Sequence, residues 1–338
     1  MTQKILGIED ASLAARVVRR TPLLYATGAD AALDRPAHVR AGSSIVRVGR
    51  RLAVVQDDAN FLALVDADAV SVRAVTLPAG ADGKRQFDDV RGNKRFKLDL
   101  EAAVVVPAAD GDWLLAFGSG STPVRETIAV FRGWGDAEPY ATMVDARALY
   151  AALRAETDFA GSELNVEGAA LVHGAVRLFN RGNGAPTASL LPVDATCDLD
   201  LAALLAYLGA PESSGPPRIS RVVQYELGSI GGARLTFTDA VAAGSTVLFS
   251  AAAEESPDAT RDGPVAGSAL GVIGRDGVPR WTVVADADGR RFAGKIEGLV
   301  PAEDDPARLF VVLDLDDPAA PSELCEVELG GDWGSGAG

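Results

Sequence analysis

Short apolar runs separated by turns and polar clusters recur along this chain at nearly even intervals. Lys295-Ile296-Glu297-Gly298 has close copies in Asp99-Leu100-Glu101-Ala102 and Asn165-Val166-Glu167-Gly168, and looser ones in Thr236-Phe237-Thr238-Asp239-Ala240 and Gly42-Ser43-Ser44-Ile45. After each copy come an apolar run, a turn, a second apolar run (Leu52 to Val55, Trp113 to Phe117, Val176 to Phe179, Thr246 to Phe249, Leu309 to Leu313) and a polar cluster. With Ser43, Glu101, Glu167, Thr238 and Glu297 as one equivalent position, the units are 58, 66, 71 and 59 residues apart. A self-similar unit of this length, built from short strands, marks radial repetition. The first unit predicts four strands, Ser44 to Val48, Leu52 to Val55, Phe61 to Val65 and Val70 to Leu77, the number in a propeller blade. The expectation is an all-β, five-bladed β-propeller in one domain, with blades from about 43, 97, 164, 233 and 295. Residues 1–42 leave a sixth, degenerate blade as the alternative.

The last unit has room for only three strands before the glycine-rich tail, and an open sheet edge is a liability. An N-terminal strand, Ala14 to Arg19, is therefore expected to supply the outer strand of the last blade. A second strand is expected around Leu23 to Tyr25. Two helical inserts follow from apolar periodicity and acidic caps: Ala146 to Arg154 after Asp145, with Leu149, Tyr150 and Leu153 on one face, and Leu199 to Leu208 capped by Asp198 or Asp200. The fourth blade is expected to take strands around Val222, Leu235 and Trp281, with its polar cluster extended from Ser256 to Gly263.

Composition narrows the function. The 338 residues carry a net charge of −15, which argues against a surface that tracks nucleic-acid phosphates. Cys197 and Cys325 stand in no metal-type spacing and read as free thiols. No stretch approaches the ~18 apolar residues of a membrane helix, and the N-terminus has no apolar signal core, so a cytoplasmic protein is expected. The oligomeric state has no signature. Only His38 and His173 are present, His173 in a turn away from the expected mouth, which disfavours a Ser-His-Asp triad or a His-ligated zinc.

In a blade, the residues that open the first strand and those that close the second meet at one mouth. Side chains alternate along a strand, so Asp99, Asn165, Thr236 and Lys295 share the direction of the repeat point. Asp57, Asp58, Arg125, Arg181, Asn183 and Glu254 join them from the polar clusters. Three glutamates converging on the axis must be protonated, paired with bases or neutralised by a cation. With Ser43 and Thr238 adding oxygens, a ring of Ser43, Glu101, Glu167, Thr238 and Glu297 suits Ca2+, with Mg2+ or a metal-free, base-balanced tunnel as alternatives. Gly118-Ser119-Gly120-Ser121 with Arg125 reads either as an anion cradle or as a tight loop.

The order Ser, Glu, Glu, Thr, Glu, with Arg51-Leu52, Asp57-Asp58, Phe237-Thr238, Glu254-Glu255 and Glu297-Gly298, is similar to the calcium-activated nucleotidase (apyrase) family, and the chain also resembles bacterial propeller proteins of unknown function. The nucleotidase resemblance implies a central calcium in a five-bladed propeller and hydrolysis of phosphoanhydrides. The functional expectation is a metal-dependent hydrolase of a small anionic substrate such as a phosphoester. Asp57 or Glu254 would activate water, with Lys295 as a further catalytic candidate, and Asp58, Asp99, Arg125, Asn165, Arg181 and Asn183 would hold the substrate. A lactone or ester hydrolase on the same metal, and a non-enzymatic ligand-binding or scaffold propeller, are the alternatives.

Overall fold

The computed structural model describes residues 3–66, 71–135, 138–255, 258 and 263–334. Its strands form five antiparallel meanders of four. The innermost strands are Gly42–Val48, Leu100–Ala108, Val166–Val172, Ala233–Ala243 and Lys295–Pro301. Each touches the innermost strand of the next meander, and the fifth touches the first, so the ring closes. The fold is a β-propeller.

Burial follows the ring. The apolar residues separate into five clusters, each shared by two neighbouring meanders, as where Phe179 of the third packs edge-on against Phe237 of the fourth at 5.2 Å. Both faces of a meander are therefore covered by its neighbours, which is why the second strands read as unbroken apolar runs rather than as alternation.

The five repeat points have one structural meaning. Pairing between the first and second strands shifts register between Gly42 and Ser44, Leu100 and Ala102, Val166 and Gly168, Phe237 and Asp239, and Ile296 and Gly298. The residue passed over is in each case the repeat point: Ser43, Glu101, Glu167, Thr238 or Glu297. A bulge bends a strand and re-aims a side chain, and here five of them stand at matching places around one axis. The glycine after the glutamate follows from the same geometry. A Cβ on Gly298 would lie 2.8 Å from the Ile45 nitrogen and 2.9 Å from the Ser44 carbonyl carbon, where the fifth meander meets the first.

The expected N-terminal closure is met. Ala14–Pro22 pairs antiparallel with Glu323–Gly330 as the outer strand of the fifth meander, and its start also pairs in parallel with Pro279–Ala285 of the fourth. The residues before it continue this belt: Gln3–Leu6 joins the outer edge of the third meander and Ile8–Glu9 that of the fourth. Residues 3–42 thus form no further meander among the described residues; Leu24 and Tyr25 make only isolated bridges.

One strand assignment needs correction. Val222 lies in Ile219–Glu226, which pairs with Asp194–Asp200 and is the outer strand of the third meander, not of the fourth. The helix Leu201–Gly209 sits between these two paired strands, and periodicity alone did not reveal that the chain returns after it to the sheet it had left. Asp200 caps that helix through the Ala203 N–H; in the helix Arg147–Ala155 the Arg147 N–H bonds Asp145, and Leu149, Tyr150 and Leu153 are buried. The outer strand of the first meander is Val72–Thr76; the expected start at Val70 and most of the extension from Ser256 to Gly263 lie outside the described residues. Both cysteines are buried free thiols.

Gly298→Ala forces a methyl group against backbone at the closure, and overpacking of this kind costs about 1–3 kcal/mol. A melting temperature several degrees below wild type is expected, while Gly289→Ala, at an open turn, measures only the cost of a left-handed backbone. Equal melting temperatures for Gly298→Ala and wild type would contradict this packing.

Candidate functional site

The axis holds a narrow polar chamber of about 40 Å³, room for a few waters or one ion with part of its hydration. The bulges deliver Glu101, Glu167, Glu297 and Ser43 into it, and Asp99, Asn165 and Lys295 enter two positions earlier on their strands. Asp57, Arg125, Arg181 and Asn183 reach it from the loops, as expected. Lys97 and Asp314 complete the wall.

Thr238 is not part of that wall. Its hydroxyl donates to the Ile296 carbonyl at 2.7 Å and accepts from Ser250 Oγ at 2.9 Å, and Ser43 Oγ likewise donates to the Leu100 carbonyl at 2.6 Å. In both cases the hydroxyl ties one inner strand to the next. The five repeat points therefore divide: the hydroxyl residues join strands, and the glutamates charge the chamber. Thr236 also stays outside, accepting from Arg181 and donating to the Ala252 carbonyl.

Charge in the wall is unbalanced. Asp57, Asp99, Glu101, Glu167, Glu297 and Asp314 give six carboxylates against four cations, Lys97, Arg125, Arg181 and Lys295. The cations are committed to short pairs. Lys97 Nζ lies 2.5 Å from Asp57 and 2.6 Å from Asp99; Arg125 reaches Asp99 at 2.8 Å; Lys295 reaches Glu297 at 2.8 Å. Arg181 pairs with Glu254 at 2.5 Å and lies 3.5 Å from Glu167. Asn165 donates to Glu167 at 2.7 Å and to Asn183 at 3.2 Å. The loop Ser119 to Ser121 proves to be a grip on Asp99: Ser119 donates to its carboxylate, and Arg125 bonds both Ser121 and Asp99.

Two carboxylate oxygens at the chamber, Asp57 Oδ1 and Glu297 Oε2, are buried without a hydrogen-bond partner. One oxygen each of Asp57, Asp99 and Glu101 fall within 4.8 Å of one another. Buried orphan oxygens, a net excess of two negative charges and an all-oxygen donor set fit a hard divalent cation. Without one, protons must compensate. Burial, then the nearby Glu167, Asp99 and Asp57 charges, raise Glu101 well above the usual carboxylate range. Burial pushes Glu167 up to about 8 against the pull of Arg181, and raises Glu297 and Asp314 as well. Asp99 is the exception: burial opposes its charge, but Lys97, Arg125 and Ser119 hold its carboxyl low.

Glu254 stands behind the wall, paired with Arg181 and, at 3.6 Å, Lys295, and accepting the Gly263 N–H at 2.7 Å. Asp58 faces a second cavity of about 270 Å³ that shares Asp57, Lys97 and Asp314 with the chamber and opens at the mouth. There Arg40 binds Asp58 and, at 3.0 Å, Asp88, while burial and the Asp57 charge push Asp58 up to about 7. Seven aspartates, among them Asp88, Asp89, Asp316 and Asp317, face this mouth cavity against Arg40, Lys94 and Lys97. Lys97 follows the short helical turn Lys94–Phe96 and Asp99 has φ 55°, so no strand alternation pointed to Lys97. Asp314, at the end of the strand Arg308–Asp314, is a wall residue, and Arg40 carried no repeat signal.

A carboxyl with its folded pKa raised to about 8 keeps a proton that the unfolded chain releases near 4.3. The stabilisation from protonated Glu167 is thus fully present below the ordinary value and is lost as pH rises toward 8. In chelator, the melting temperature is expected to fall by a few degrees between pH 5.5 and 8.5, and less steeply in Glu167→Gln. A melt that rises over this range in wild type would contradict the protonated glutamate.

No curated protein matches the sequence. Similar solved structures include a protein proposed to be a gluconolactonase (12% identity, 96% of this chain and 95% of that chain, TM-score 0.38), a Trichoderma reesei carbohydrate-active enzyme of family AA12 (11%, 95% and 97%, 0.44) and the calcium-binding protein regucalcin from Agrobacterium tumefaciens (10%, 98% and 97%, 0.39). Likeness this distant carries no argument about activity, and the architecture rests on the strand pairing. Neither these structures nor the family match supports the resemblance to calcium-activated nucleotidases. Among the described residues no helix is long and apolar enough to cross a membrane. Residues 38–329 match the family of unknown function DUF6929, and the chain belongs to that family.

Proposed function

We propose that the protein is a divalent-cation-dependent hydrolase of a small, uncharged ester or lactone, with calcium as the preferred cation. The observation that carries this reading is the junction of two cavities: a narrow chamber with an excess of carboxylates, and a roomier mouth cavity that shares Asp57, Lys97 and Asp314 with it. Glu101, Glu167 and Glu297 would hold the cation, and calcium accepts the six to eight oxygens that these and waters offer. Bound there, the cation supplies Lewis acidity toward a carbonyl oxygen.

The chain's own residues divide the remaining work. Asp57 belongs to both cavities and keeps one oxygen without a partner, so it is placed to accept a proton from water. Glu254, the other candidate base, has its carboxylate engaged by Arg181 and a backbone N–H and lies outside the chamber wall. Lys97 and Lys295 hold Asp57 and Glu297 in position. Arg125 and Arg181, expected as grips for an anionic substrate, are occupied by Asp99 and by Glu254 and Glu167. The aspartate-rich mouth repels a free phosphoester, which favours the neutral carbonyl compound over the phosphorylated one. The commitment of every chamber cation to a carboxylate favours a second reading, in which the cation only holds the ring together and no turnover occurs.

Elemental analysis of purified protein should find about one calcium per chain, and chelator should lower the melting temperature. A cation at a hundredfold excess over its Kd adds about 2.7 kcal/mol to stability. Glu101→Gln is expected to weaken calcium binding at least tenfold. Asp57→Asn, which keeps an oxygen in the Asp57, Asp99 and Glu101 cluster, is expected to weaken calcium binding less than Glu101→Gln does and to lose about a hundredfold or more in kcat on a δ-lactone or aryl ester at saturating calcium, the range for a general base. Calcium without hydrolysis in a panel of lactones, esters and phosphoesters would select the structural reading; absence of any bound or stabilising cation would sink both.

A further inference from the structure

A larger cleft lies on the face opposite the mouth, between the third and fourth meanders, with the N-terminal strand Gln3–Leu6 at its edge. It encloses about 780 Å³, within the usual range for small-molecule sites and far larger than either cavity at the axis. Its charge runs against that of the whole chain. Where the protein carries −15, this cleft presents Arg177, Arg221, Arg275 and His173 against Asp276 alone. Arg177 forks onto Asp198 at 2.7 and 3.0 Å. The side chains of Arg221, Arg275 and His173 have no hydrogen-bond or ion-pair partner among the described residues. The floor is apolar and includes Ile5, Val223, Tyr225 and Ile273.

Two of these basic residues are held in a backbone conformation that costs energy. Arg221 has φ 50° and His173 φ 50°, in the left-handed region that non-glycine residues adopt at about 1–2 kcal/mol. Arg221 sits where the pairing of Asp194–Asp200 with Ile219–Glu226 shifts register between Thr196 and Asp198, so a bulge turns it out of the sheet alternation. His173 occupies the tight turn between Val166–Val172 and Ala175–Asn180. Strain of this kind persists where surrounding structure enforces it, and it gathers at ligand sites.

We propose that this cleft binds a small amphipathic anion: an aromatic or short aliphatic body against the apolar floor, with a phosphate or carboxylate head met by Arg221 and Arg275. Guanidinium forks match either head group, and His173 adds a donor at the rim. The site lies on the opposite face from the acidic mouth and does not depend on the cation or on hydrolysis there. Charge separates the two ligands, since an anion excluded from the mouth is attracted here.

The test uses the full chain and isothermal titration with four probes: 1-naphthyl phosphate, 1-naphthoate, 1-naphthol and inorganic phosphate. One of the two naphthyl anions is expected to bind one per chain, at least tenfold tighter than naphthol or phosphate, and which one does so identifies the head group. Raising salt from 50 to 300 mM should weaken that binding. Arg221→Gln with Arg275→Gln should weaken it at least tenfold without changing calcium content or melting temperature, and the single variant Arg275→Gln, at an exposed turn, gives an intermediate loss even if the double variant fails to fold. Absence of binding by both anions at millimolar concentration, equal binding of naphthol, or affinity unchanged in the variants would overturn the assignment.

Discussion

Carboxylates brought together out of water repel one another, and around this axis the repulsion is built into the fold rather than avoided. Each inner strand carries a bulge at the same level, and three of the five bulged residues are glutamates. At the same level the Ser43 and Thr238 hydroxyls tie neighbouring inner strands together, which opposes any widening that would let the charges separate. Compensation has to come from inside the chamber. Lys97, Arg125, Arg181 and Lys295 supply most of it in short pairs, and the remaining excess falls to protons or to a cation. Buried charges paired in this way seldom add stability over an apolar core, because desolvation offsets the attraction. Their presence at the centre of a propeller is therefore better explained by what the chamber binds than by what it contributes to folding.

Much of this could be read from the chain. Positions 43, 101, 167, 238 and 297 emerged as equivalent from residue pattern, and they coincide with the five bulges because each bulge takes a side chain to re-aim and, in four of the five, a small residue after it (Ser44, Ala102, Gly168, Gly298), Asp239 being the exception. Alternation placed Asp99, Asn165 and Lys295 at the chamber for the same reason. The pattern could not distinguish a side chain's direction from its partner. Ser43 and Thr238 stand at the right positions, but their hydroxyls serve adjacent strands. Arg125 and Arg181 looked available to a substrate because the carboxylates that occupy them lie 26 and 73 residues away in sequence. Val222 was misplaced because a helix and a loop interrupt the third meander before its last strand. The basic cleft was invisible from sequence, since its arginines come from separate turns and a bulge that carries no repeat.

The two faces of the ring differ in electrostatic character. One face gathers aspartates at the mouth, and on the other a cleft between the third and fourth meanders gathers basic side chains, three of them without a partner among the described residues, although the chain as a whole is strongly acidic. A polarised surface orients an approaching charged molecule before contact, over distances of about a Debye length. Ligands of opposite sign would thus be sorted to opposite faces without any moving part.

The belt formed by residues 3–22 has a consequence for the birth of the chain. The pairing partners of this segment are Ile219–Glu226, Pro279–Ala285 and Glu323–Gly330, the last of which is synthesised more than 300 residues after it. Until then Ala14–Pro22 is an unpaired strand with an apolar face, the kind of edge that invites pairing with another nascent chain. The first four meanders can assemble in order as they emerge, but the ring can be sealed only once Glu323–Gly330 has been made. Closure of the ring should therefore come late, and chains stalled before residue 323 should be the ones that chaperones must shield.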